Sequence, residues 1–175
     1  MTGKQAFLHQ RATAVFLVGS AVSPRPVDSA RATGVLSARY TDGHVVPMEP
    51  LITIVDDDKA VRDALQRMLQ SHGFATDVFA SAEQFLSGPQ PHSASCLILD
   101  VSMPGMTGLE LHDYLTGSGH RIPTILITAC PTRGERRRAI ASGVASYLAK
   151  PLSEEVLLDT IRDALEDGAR AEAGR

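Results

Sequence analysis

A chain of 175 residues is long enough for one well-cored domain with a short remainder, and its 43% hydrophobic and 21% charged residues are ordinary for a soluble globular protein. No run approaches the roughly 20 apolar residues of a membrane helix, which argues against a membrane protein. The two cysteines, Cys96 and Cys130, make neither a disulfide framework nor a metal-ligating spacing and fit a reducing cytoplasm, while the net charge of −3 argues against direct nucleic-acid binding.

The charge is unevenly spread. Residues 1–47 carry Lys4, Arg11, Arg25, Arg31 and Arg39 against Asp28 and Asp42, a net of +3, whereas the remainder carries −6. Lys4 and Arg11 precede the apolar stretch Ala12 to Val22, but Thr13, Gly19 and Ser20 break it, so it makes a poor export signal. Without a sustained period, residues 1–47 read as a disordered extension or as the product of a start codon set too far upstream. The domain is assigned to 48–167, and 168–175 to a disordered tail.

From Leu51 onward, short β-type runs alternate with helical patterns, the signature of a parallel sheet covered on both faces. The first run, Leu51 to Val55, is followed by Val61, Ala64, Leu65, Met68 and Leu69 at helical spacing, with Asp58 as the cap and Gly73 as the stop. The second run is Ala75 to Phe79. Ser81 with Gln84 then forms a capping box for a second helix. Cys96 to Leu99, Thr124 to Ile127 and Ser146 to Leu148 complete five strands. Gly108 to Leu115 and Glu135 to Ala141 supply the third and fourth helices, and a fifth begins at Ser153 with Val156, Leu157, Ile161, Ala164 and Leu165 as its buried stripe. Five alternating pairs predict a flavodoxin-like (βα)5 doubly wound parallel sheet of strand order 2-1-3-4-5.

That order brings the polar groups at the strand ends to one edge, where open α/β sheets build their sites. Asp56 and Asp57 face Asp100, with Thr128 and Lys150 on its other side. Clustered carboxylates repel unless a cation intervenes, and Mg2+ prefers a few carboxylates, several waters and phosphate oxygens. The set suits transfer of a phosphoryl group onto Asp100, with Lys150 adding positive charge and the Thr128 hydroxyl a hydrogen bond.

The stretch Val55 to Asp58, the segment Leu97-Ile98-Leu99-Asp100-Val101-Ser102-Met103-Pro104-Gly105-Met106-Thr107-Gly108, the pair Thr128-Ala129 and the pair Lys150-Pro151 resemble the receiver domain of bacterial two-component response regulators, in particular those of FixJ type. The resemblance spans about Leu51 to Leu165. It implies that Asp100 is the phosphoacceptor for a sensor histidine kinase, and that Asp56, Asp57, Asp100 and the Ser102 backbone carbonyl hold Mg2+. It further implies that Thr128 is the switch hydroxyl, Lys150 the contact to the phosphoryl group, Tyr147 the aromatic that reports the switch, and Lys150-Pro151 a cis bond. Ser102 and Cys130 stand at variable positions that tune the lifetime of the aspartyl phosphate in relatives. The domain would catalyse only its own phosphorylation and dephosphorylation.

Two departures accompany the resemblance. Pro131 follows Cys130, where relatives carry other residues, and the chain ends at Arg175, where FixJ-type relatives continue into a helix-turn-helix output domain. A separate output protein is therefore expected, docking on the face from Arg133 to Tyr147, where Arg133, Arg136, Arg137 and Arg138 would suit an acidic partner. Phosphorylation-dependent pairing of two copies is left open. Two rival classes are a flavodoxin-like cofactor binder and an aspartate-nucleophile phosphohydrolase. The first needs a phosphate-cradling loop where Asp56 to Asp58 stand; the second usually carries Asp-x-Asp or Asp-Lys-Thr-Gly, where Val101 and Ser102 follow Asp100.

Overall fold

The computed structural model describes residues 38–41, 44–47, 49–88 and 93–173. Five parallel strands, β3 (Leu51–Val55), β4 (Ala75–Phe79), β5 (Cys96–Asp100), β6 (Thr124–Thr128) and β7 (Ser146–Ala149), pair in the order β4-β3-β5-β6-β7. This is the expected 2-1-3-4-5 winding. Helices α1 (Lys59–Ser71), α2 (Ala82–Leu86), α3 (Gly108–Gly117) and α4 (Arg133–Ser142) fill the crossovers, and α5 (Glu154–Ala173) follows β7. None of the described helices is long and apolar enough to cross a membrane.

Strand alternation sorts the core into two layers. Ile52, Ile54, Cys96, Ile98, Ile125 and Ile127 point to one face and meet Leu65 and Leu69 of α1 and Leu157, Leu158 and Ile161 of α5. Val55, Leu97, Leu99 and Leu126 point to the other, against Phe85 of α2, Leu111 and Leu115 of α3 and Ala139 of α4. The central strands β5 and β6 are buried along their whole length, so their near-continuous apolar runs are what two covered faces require.

Local chemistry sets the helix starts. Asp58 caps α1 by accepting from Ala60 N and Val61 N, Ser81 caps α2 through Gln84 N, and Thr107 with Glu110 closes a reciprocal capping box on α3. Thr132 caps α4 through Glu135 N. The stop after α1 is shared: His72 is the C-cap, and Gly73 follows at φ +82°.

Three expectations need correction. Ala38–Thr41 (β1) and His44–Pro47 (β2) pair antiparallel, with Thr41 opposite His44, inside the segment expected to be a disordered extension. In the sequence, the Asp42-Gly43 dipeptide between them is a hairpin signal too short to show a period. Second, α5 continues to Ala173, six residues into the expected tail, with Arg170 bonded to Glu166 and Asp167 one turn back. Third, Val156 is 51% exposed and Leu158 takes its place in the buried stripe, because the helix phase is set by Leu157, Ile161, Ala164 and Leu165.

Among the described glycines the tightest surroundings are at Gly108, the first residue of α3, where a Cβ would stand 2.3 Å from the Asp100 carbonyl oxygen and 3.1 Å from Leu99 Cβ. The absent side chain lets α3 sit directly on the end of β5. Gly108→Ala should therefore push α3 away and lower the unfolding free energy by about 1–3 kcal/mol, measured by urea denaturation at unchanged m-value. Wild-type stability in this variant would mean that α3 is not held against the strand as described.

Candidate functional site

Register places the polar strand ends. Val55 lies opposite Leu99, so Asp56 follows β3 at the level of Asp100; Asp100 lies opposite Ile127 and Thr128 opposite Ala149, which brings Thr128 and Lys150 to the same edge. Asp56 is wholly buried, Asp100 is 5% exposed and Thr128 1%. Lys150 reaches across the edge: its Nζ donates to Asp56 Oδ2 at 2.8 Å and to Asp100 Oδ1 at 2.5 Å. The ammonium lies between the two carboxylates, rather than only on the far side of Asp100. Its backbone N–H donates to the Thr128 carbonyl at 2.7 Å, and the Lys150-Pro151 bond is cis.

The second oxygen of each carboxylate is also engaged. Asp56 Oδ1 accepts from Asp58 N at 2.9 Å and Asp100 Oδ2 from Ser102 N at 2.7 Å, so each loop begins by turning back onto its own aspartate. An Arg62 guanidinium nitrogen donates to the Asp56 carbonyl, tying the β3–α1 loop to the first turn of α1. Thr128 Oγ1 accepts from Cys130 N at 3.2 Å. Arg62 was not anticipated as part of the site, although a basic residue four positions past the Asp58 cap lies on the face of α1 that overhangs the loop.

Burial raises the Asp56 carboxyl above its ordinary range and the negative charge of Asp100 adds to it, while Lys150 and the Asp58 N–H oppose this without cancelling it. For Lys150, burial acts to lower the ammonium pKa, but the hydrogen bonds and charges of Asp100 and Asp56 outweigh it and the net shift is upward. The ammonium is thus held charged by partners that need it.

Asp57 is exposed and does not join the buried pair; with Ser102 and Thr107 it lines a cleft of about 620 Å3 that extends between α3 and α4 to Arg138 and Tyr147. Among the described residues no group of three or more His, Cys, Asp or Glu side chains is placed to hold a metal ion. Tyr147 is 8% exposed and packs in the second core layer, and its hydroxyl is buried without a hydrogen-bond partner. Burial first, then the nearby Glu135, holds this phenol above its ordinary pKa. Arg133 and Arg136, with Pro131 and Thr132, border a smaller cleft on the other side of Tyr147.

A doubly wound parallel domain with aspartate, threonine and lysine gathered at the carboxyl edge of its strands is an α/β domain with an aspartate-centred polar edge. The chain belongs to the response regulator receiver domain family, whose model matches residues 52–162. It is 40% identical over 123 residues to the response regulator protein TmoT of Ectopseudomonas mendocina, covering 70% of this chain and 56% of that protein. The solved structure of the response regulator StyR superposes with a TM-score of 0.67 at 38% identity, covering 73% of this chain and 65% of that one. The crystal structure of FixJ-N superposes with a TM-score of 0.62 at 33% identity, covering 68% and 95%. The chain spans about half the length of the curated relatives it matches. These relatives are response regulators, which sets aside the flavodoxin-like and phosphohydrolase alternatives. The chain thus carries a receiver domain of a two-component system.

The raised pKa of Asp56 has a definite sign for stability. Where this carboxylate is charged the fold carries it at a cost, and as pH falls through the raised value the folded chain takes up the proton before the unfolded one, so the cost disappears. Asp56→Asn leaves Lys150 paired with Asp100 and should raise the thermal midpoint at neutral pH, in chelator, by about 3 °C or more, an advantage that shrinks on acidification. Thermal melts at the two pH extremes test this; a lower midpoint for the variant at neutral pH would contradict it.

Proposed function

We propose that the domain takes a phosphoryl group from the phosphohistidine of a sensor histidine kinase onto Asp100 and, in that state, changes which partner it binds. The observation that carries this reading is the double pairing of Lys150 Nζ, at 2.8 Å from Asp56 and 2.5 Å from Asp100. It fixes positive charge beside a nearly buried carboxylate at the carboxyl edge of the sheet, which is what phosphoryl transfer asks of a protein. One oxygen of Asp100 attacks phosphorus as the phosphorus–nitrogen bond of phosphohistidine breaks. The electron pair leaves with the imidazole, which takes a proton from solvent, and the product is an aspartyl phosphate. Lys150, already bonded to Asp100, follows the incoming charge to a phosphoryl oxygen.

Asp56, Asp57, Asp100 and the Ser102 carbonyl are the groups that would hold Mg2+, which supplies charge neutralisation between nucleophile and phosphate when bound. The fit rests on the donors: all are hard oxygens, and three carboxylates against one ammonium leave negative charge to offset. An open set with Asp57 toward solvent suits an ion that keeps several waters better than a closed cage would. On this reading the domain turns over no other substrate and catalyses only gain and loss of its own phosphoryl group. A kinase donor and the free thiols of Cys96 and Cys130 fit a cytoplasmic setting.

Thr128 is the proposed switch. Its hydroxyl, now accepting from Cys130 N, would turn to the phosphoryl group and vacate space that Tyr147 can enter. Tyr147 borders both clefts beside α4, whose Arg133, Arg136, Arg137 and Arg138 are all exposed, so its movement would alter a basic face suited to an acidic partner.

Acetyl phosphate with Mg2+ should add one phosphoryl mass to the wild-type protein and none to Asp100→Asn, by intact mass spectrometry. Asp57→Ala should weaken Mg2+ binding and labelling together. Equal labelling of wild type and Asp100→Asn, or labelling that survives excess chelator, would overturn the reading.

Thr128→Ala keeps the nucleophile and should still be labelled, yet lose the response of the segment Arg133 to Tyr147 to beryllofluoride, followed by hydrogen exchange. An unchanged response in this variant would remove Thr128 from the switch.

A further inference from the structure

The loop that follows Asp100 is fastened at three points. Ser102 N donates to Asp100 Oδ2 at 2.7 Å, and Met103 is buried in the second core layer. The third fastening comes from a different part of the chain: Met106 N donates at 3.0 Å to Oε1 of Glu83, 23 residues earlier, in the first turn of α2. Gly105 beside it adopts φ +76°, and a Cβ there would stand 2.7 Å from the same Glu83 oxygen. The carboxylate therefore occupies the space that a side chain at 105 would need, and the positive φ turns the Met106 N–H toward it.

Glu83 is exposed, yet its own backbone N–H, the Ser81 hydroxyl and the Met106 N–H hold its carboxyl below the usual range. That is the mark of a carboxylate fixed by donors.

We propose that Glu83 is a positioning residue for the metal-binding loop: by accepting the Met106 N–H it fixes the path from Ser102 to Met106 and thereby the aim of the Ser102 carbonyl beside Asp100. The inference rests on the reading above, in which that carbonyl is a Mg2+ ligand, and extends it to a side chain that touches neither metal nor phosphoryl group. Outer groups that orient a ligand commonly alter metal affinity by about tenfold or more when removed. A hydrogen bond at an exposed site adds little to global stability, so its loss should register in the loop and in metal binding rather than in the melting temperature.

The test uses the full chain as wild type, Glu83→Ala and Glu83→Gln, with Mg2+ affinity by calorimetry, Met106 amide exchange by NMR, and thermal midpoints. Glu83→Ala should speed Met106 exchange and weaken Mg2+ binding by about tenfold, with a midpoint within about 2 °C of wild type. Glu83→Gln, whose amide oxygen still accepts the Met106 N–H, should stay within about twofold of wild type. Wild-type Mg2+ affinity in Glu83→Ala would overturn the inference, as would a loss that Gln fails to rescue or one accompanied by a large fall in midpoint. A wild-type protein that binds no Mg2+ would instead overturn the functional reading on which the inference rests.

Discussion

Two aspartates at the ends of neighbouring parallel strands, both almost without solvent, would not be tolerated unless a cation stood between them. Lys150 is that cation, and it comes from 94 residues beyond Asp56 and 50 beyond Asp100. Much of the architecture follows from this requirement. β7 must lie beside β6 for Lys150 to reach the edge, its backbone is tied there by the Thr128 carbonyl, and α3 must start with a glycine so that it can close over the Asp100 carbonyl. The arrangement remains unfavourable for Asp56, whose carboxyl is still shifted upward. Such residual cost is typical of sites kept for chemistry rather than stability.

The charge balance also explains why the site is poised rather than finished. One ammonium stands against three aspartates, two of them nearly buried, while Asp57 stays in solvent along the cleft. The same cleft runs to Tyr147, a phenol buried without a hydrogen-bond partner. An unpaired buried hydroxyl is a cost that an alternative position could relieve.

The five-stranded winding was legible because β5 and β6 are covered on both faces and so read as unbroken apolar runs, each ending in the polar group that marks the edge. The helix caps Asp58 and Ser81, and the arrival of Asp56, Asp100, Thr128 and Lys150 at one sheet edge, were legible for the same reason: their spacing is local to strand ends. Three kinds of feature were not. The β1–β2 hairpin is too short to show a period, and only Asp42-Gly43 signals it. The extension of α5 past residue 167 rests on intrahelical pairs such as Arg170 with Glu166, which carry no apolar stripe. Glu83 and Arg62 act on loop backbone far away in sequence or across a helix turn, and backbone partners leave no pattern in side-chain spacing. Lys150 was placed at the edge correctly, but that it would bridge both carboxylates depends on side-chain reach, which register alone does not set.

The central claim is that this edge makes Asp100 the one nucleophile. Borohydride reduces an acyl phosphate to the alcohol, so a phosphorylated protein treated with it and mapped by peptide sequencing reports the acceptor directly. The account predicts homoserine at position 100 and intact aspartate at 56 and 57. Homoserine at either of those positions, or at none after demonstrated phosphoryl uptake, would contradict it.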